Sequence, residues 1–123
     1  MSDSGSQPPT PVVSRDELLQ RVDGDMELLE ELVDLFLEDL PDRLQGLREA
    51  LDQDNVPQVH ELAHSIKGSV SCFAAAAAFE AASQLTDLAR SGTRNGLKEA
   101  IDILEQEMTR LQPALREIVT SGS

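Results

Sequence analysis

In the last third of the chain, Leu97, Ile101, Leu104, Met108, Leu111, Leu115 and Ile118 recur at alternating steps of four and three residues. That spacing lays a heptad-like apolar seam along one side of a helix. A helix with such a seam must bury it against other helices or a sheet, and no stretch of the sequence shows a convincing strand period of two. The Met108 stripe is therefore read as core rather than as a cofactor box.

The rest of the chain repeats the helical pattern. Ser14-Arg15-Asp16-Glu17 reads as a capping box opening a short helix with Leu18, Leu19 and Val22, which Gly24 ends. A long helix opens near Asp25, and Leu29, Leu32, Val33, Phe36, Leu40, Leu44, Leu47 and Leu51 keep helical phase to about residue 52. Pro41 lies inside it; because the phase survives, a bend is expected rather than a break. Asp52 to Asn55 form a polar turn. Asn55 caps a third helix, with Pro57 in its first turn, running to about Cys72. An alanine-rich helix follows, with Ala75, Ala78, Phe79, Ala82, Leu85 and Ala89 expected on one packed side and Gly92 as its end signal. The last helix starts near Thr93 to Asn95, and Pro113, off the seam, is expected to kink or end it. The fold class is all-α: an antiparallel up-down four-helix bundle with a short additional N-terminal helix. Residues 1–12, rich in Ser, Pro and Gln, read as a disordered tail, 13–119 as the domain and 120–123 as a frayed end.

Within the third helix, the run Ala63-His64-Ser65-Ile66-Lys67-Gly68 carries the chemistry. At about 100° per residue, His60, Lys67, Gly68 and Ser71 fall within roughly 60° of His64. Val59, Leu62, Ala63, Ile66, Val70 and Phe73 gather on the opposite side. The apolar stripe should face the core, so the His64 stripe should face water or a partner. An imidazole, a cation and a position without a side chain then share one small area, which suits a nitrogen that accepts a phosphoryl group and is approached closely by another protein. A neutral imidazole is a competent nucleophile near pH 7, and Lys67 supplies a point charge for phosphoryl oxygens. Gly68 costs about 1 kcal/mol in a helix relative to alanine, a cost that close approach by a partner explains. His60, one turn before His64, either tunes its charge or is a bystander.

Composition narrows the field. The 123 residues carry 10 Lys+Arg against 23 Asp+Glu, a formal net charge of -13, and only Lys67 and Lys98 are lysines. Such a surface repels nucleic acid and anionic membranes. With no Trp or Tyr and only Phe36, Phe73 and Phe79, base stacking has almost nothing to use. Cys72 is the single cysteine, which excludes an intramolecular disulfide and fits a reducing compartment. No segment reaches a membrane span and the N-terminus lacks a signal-peptide pattern, so a cytoplasmic protein is expected.

His60-Glu61-Leu62-Ala63-His64 also matches the H-E-x-x-H helix of zinc hydrolases, in which two histidines bind zinc and the glutamate is the base. No third ligand stands at a recognised spacing; Glu80 is the nearest carboxylate on the following helix.

The run A-H-S-I-K-G at 63–68 resembles the A-H-x-L-K-G motif of histidine-containing phosphotransfer (HPt) domains of two-component phosphorelays, with Ile66 for leucine. Ser69, Ser71 and Phe73 continue it in register. Leu85 to Arg90 with Gly92 resembles the family's L-E-x-x-A-R and glycine, and Phe36 to Pro41 resembles its long second helix, so the resemblance covers roughly 14–118. It implies a phosphocarrier, not an enzyme: His64 takes a phosphoryl group from a receiver-domain phospho-aspartate and passes it to another receiver aspartate. Response-regulator receiver domains or a hybrid sensor histidine kinase are the implied partners, with Mg²⁺ in the receiver, no cofactor in this chain, and a monomer. Arg90 either reaches the phosphate site, as the resemblance implies, or favours its own helix C-terminus. Two positions depart from the family: Ala74 stands where glycine is usual, and Thr86 where Glu or Gln faces the His helix. The competing readings are a receiver-binding module that carries no phosphate and the phosphorylated domain of a chemotaxis-type kinase.

Overall fold

The computed structural model describes residues 13–121, so the expected N-terminal tail at 1–12 and the last two residues lie outside it. Its elements are α1 (Arg15–Arg21), α2 (Met26–Asp52), α3 (Val56–Val70), a 3-10 turn (Ser71–Phe73), α4 (Ala76–Arg90) and α5 (Leu97–Ser121), with no strand among the described residues. α2 packs against α3 and α5, and α4 packs against the same two, so the four long helices form a closed ring of neighbours. α1 lies against α2 and the 3-10 turn. No helix among the described residues is long and apolar enough to cross a membrane.

Polar side chains set the helix starts. Ser14 Oγ accepts from the Glu17 amide (3.3 Å), Asp25 Oδ1 from Leu28 (3.1 Å) and Asn55 Oδ1 from Gln58 (3.2 Å), each satisfying a donor that the first turn leaves free. The stops of α1 and α2 share one geometry. After α1, the Gly24 amide donates to the Leu19 carbonyl (2.7 Å) and the Asp23 amide to Gln20 (3.2 Å). After α2, Asn55 donates to Ala50 (2.8 Å) and Asp54 to Leu51 (3.0 Å). Both are Schellman ends with an aspartate in the left-handed position, Asp23 at φ 55° and Asp54 at φ 56°. Gly24 therefore follows the residue that turns the chain, although its own φ of 77° also needs glycine.

The core is the union of the expected seams. Leu97, Ile101, Leu104, Met108, Leu111 and Leu115 are fully buried, and Leu29, Val33, Phe36, Leu40, Leu47 and Leu51 line the inner side of α2. The Phe36 and Phe73 rings meet at 5.0 Å between centroids and tie the 3-10 turn to α2. α2 runs through exposed Pro41 without a break, as its unbroken phase requires. α5 runs through Pro113 as well, so of the kink or end expected there the end is not met, and the helix continues past 119 to Ser121. Pro113 is exposed between buried Leu111 and Leu115, so the packed seam holds the helix together across it. Phe79 is a second correction: it stands exposed at the edge of α4, whose packed face is Ala78, Ala81, Ala82, Leu85, Thr86 and Ala89.

Across the outer seam between α2 and α5, Arg48 donates from Nε and Nη2 to both Glu105 carboxylate oxygens (2.9 and 2.6 Å) and from Nη2 to Asp102 (2.6 Å). The Arg48 hydrogen bond, helped by Lys98, holds the Asp102 carboxyl below its ordinary value. Arg94 pairs with Asp54, linking the α4–α5 loop to the α2–α3 turn.

Ala74, after the 3-10 turn, adopts φ 52°, ψ 31°. The glycine usual here in the family that the sequence resembles has a backbone reason, since a Cβ in the left-handed region costs about 1–2 kcal/mol. Ala74→Gly is expected to raise stability by somewhat under that, because glycine also gains freedom in the unfolded chain, about 0.4–1 kcal/mol. Urea unfolding checks it; a lower midpoint at unchanged slope would contradict the strain at this position.

Candidate functional site

α3 owes its rotation to Val59, Ala63, Ile66 and Val70, all fully buried. With that face inside, His64 and Gly68 are exposed on the other, and His60 and Lys67 sit half-buried at its borders. The expected grouping is therefore met for His60, His64, Lys67, Gly68 and Ser71 on one outward stripe. His60 and His64 lie ring over ring, nearly parallel at 12° with centroids 6.1 Å apart.

Gly68 and Gly46 separate two uses of a helical glycine. A Cβ on Gly46 in α2 would meet Leu62 Cδ1 of α3 at 3.1 Å, so glycine lets those helices approach. A Cβ on Gly68 would meet nothing within 4 Å. No packing among the described residues asks for glycine at 68.

The C-terminal end of α3 is tied down by side chains from earlier in the chain. The Ser71 hydroxyl donates to the Gly68 carbonyl (2.6 Å), and the Ser71 carbonyl accepts from Arg21 Nη1 of α1 (2.7 Å). Arg43 of α2 donates to Ser69 Oγ (2.9 Å). Ser71 thus spends its hydroxyl on its own helix end. Arg90, exposed and 3.3 Å from Asp87, lies at the other end of the stripe, around a hollow it shares with Val56, Pro57, His60, Glu61 and Gly92. It is brought beside His60 rather than beside Lys67. Thr86 is fully buried and its hydroxyl donates to the Ala82 carbonyl (2.7 Å), so it offers the imidazole no support.

The sequence reading missed Arg21 and Arg43. They approach α3 from elements 50 and 26 residues away from their partners. With Lys67 and Arg90, four of the ten cations of a chain with net charge -13 stand around one helix. Their scarcity was the only sequence signal available. The H-E-x-x-H pattern finds no third partner, since no group of three His, Cys, Asp or Glu placed to hold a metal occurs among the described residues. Cys72 is exposed with a free thiol, at a groove with Phe36, Arg43 and Ser69.

Residues 31–114 match the family model of the Hpt domain. The chain belongs to the Hpt domain family. It is accordingly a phosphorelay phosphocarrier, a carrier rather than a catalyst. The fold is similar to the crystal structure of histidine-containing phosphotransfer protein B (HptB) from Pseudomonas aeruginosa PAO1, with a TM-score of 0.78 and 24% identity over 92% of this chain and 98% of that one. No curated protein sequence matches.

Gly68→Ala is expected to stabilise this Hpt domain by about 0.5–1 kcal/mol, since the helix interior gains and nothing is displaced. The same variant is expected to slow phosphoryl exchange with a partner domain. Denaturant unfolding and a transfer time course read the two effects; unchanged transfer would contradict an external reason for the glycine.

Proposed function

We propose that His64 is the phosphoryl acceptor of this carrier. The observation that carries the reading is an exposed imidazole at the centre of an outward stripe, with Lys67 one turn on and an open glycine beside it. A ring nitrogen of His64 attacks the phosphorus of an aspartyl phosphate on a receiver domain. The N–P bond forms as the bond from phosphorus to the aspartyl oxygen breaks, and the carboxylate leaves. The reverse step delivers the group to the aspartate of a second receiver.

Such transfer depends on in-line placement and charge stabilisation more than on elaborate side-chain chemistry. Lys67 faces the phosphoryl oxygens as a point charge. Gly68 admits the receiver's loops to within contact of the helix backbone. His60, Ser71 and Arg90 border the contact area, with Arg90 on the His60 side. Mg²⁺ belongs to the receiver's acidic pocket in this reading, and this chain contributes no cofactor.

The proposed architecture is an antiparallel up-down four-helix bundle of α2 to α5 with α1 packed on it, the domain expected at 13–119 running on with α5 to Ser121. It acts as a cytoplasmic monomer whose partners are response-regulator receivers or the receiver of a hybrid sensor kinase.

The test is transfer from a phosphorylated receiver domain with Mg²⁺ to wild type and to His64→Gln. Acid-labile, base-stable label is expected on wild type alone. Label persisting on His64→Gln, or absent from wild type across a broad receiver panel, would contradict the assignment.

A further inference from the structure

Phe79 is one of three aromatic residues in the chain, and it stands outside the core at the first turn of α4. A single exposed apolar side chain is ordinary, but this one has a specific neighbour. The Lys67 ammonium lies over its ring, with Nζ 5.6 Å from the centroid, inside the range of a cation–π contact. Lys67 is one of two lysines in a chain with 23 acidic residues, yet it forms no ion pair among the described residues.

That choice of tether has a physical consequence. A carboxylate would hold the ammonium more strongly, but it would also neutralise it and repel phosphoryl oxygens at the same place. The face of a phenyl ring attracts a cation through its quadrupole and carries no net charge. It restricts a flexible four-carbon side chain while leaving the full positive charge for an incoming anion.

We infer that Phe79 is a positioning residue for phosphoryl transfer, holding Lys67 at the α4 side of His64 so that its ammonium is placed before the phosphoryl group arrives. The inference rests on His64 being the acceptor. Phe79 itself does not touch the reacting atoms; it acts through Lys67.

A double-mutant cycle tests it, using single-turnover transfer at saturating concentration of a phosphorylated receiver that labels wild type. Phe79→Leu is expected to slow transfer roughly two- to fivefold, the range of an exposed cation–π contact. Phe79→Tyr, which keeps the ring, is expected to restore the rate. In a Lys67→Ala background, Phe79→Leu is expected to add nothing. The upfield ring-current shift of the Lys67 ε-methylene protons should also disappear in Phe79→Leu. Equal slowing in both backgrounds, or no slowing with Lys67 present, would overturn the inference while leaving His64 as acceptor. Label persisting on His64→Gln with the same receiver would instead remove the acceptor assignment on which it rests.

Discussion

The burial of one face of α3 is the constraint on which the site depends. Val59, Ile66 and Val70 are fully enclosed, and each such side chain contributes about 1.5–3 kcal/mol relative to exposure. Turning the helix by half a revolution to hide His64 would forfeit several of these contributions at once. No polar contact at the surface approaches that sum. The imidazole is therefore held outward by aliphatic packing on the far side of its own helix, where its ring neighbour is His60.

A chain with net charge -13 is a poor starting point for handling phosphate. The fold offsets this locally. Arg21 arrives from α1 and Arg43 from α2, both bonded to the last turn of the His64 helix and its extension. Lys67 comes from α3 itself, and Arg90 closes the opposite end beside His60. Elsewhere, cations such as Arg48 are committed to cross-linking helices through Asp102 and Glu105. Arg43 and Arg90 are each also paired with a carboxylate of their own helix, Asp39 at 3.7 Å and Asp87 at 3.3 Å, so Lys67 is the stripe's cation with no ion pair among the described residues.

Much of this was legible in the sequence because it follows from period and capping. The seam of α5, the inner stripe of α2, and the caps at Ser14 and Asn55 are local properties, and the structure meets them. The outward placement of His64 and Gly68 follows from the same arithmetic. What escaped was set by other segments. Phe79 lies within the periodic stripe of α4, but an alanine-lined face leaves little depth for a phenyl ring, and it emerges at the edge under Lys67. Pro113 reads as a kink or an end, and that the helix does not end there follows from the burial of Leu111 and Leu115 around it. The left-handed backbone of Ala74 cannot be read from alanine; only the family's glycine hinted at it. Arg21 and Arg43 reach the end of α3 and its extension through contacts that no local pattern encodes.

Long-range ¹H–¹⁵N spectra of the imidazoles before and after phosphorylation by a receiver distinguish a phosphoryl group on His64 from one on its stacked neighbour His60. Large ¹⁵N shifts are expected at the ring nitrogens of His64, with the His60 ring remaining unmodified and moving only slightly. A phosphorylated His60, or two unmodified imidazoles in protein that has taken up label, would contradict His64 as the acceptor.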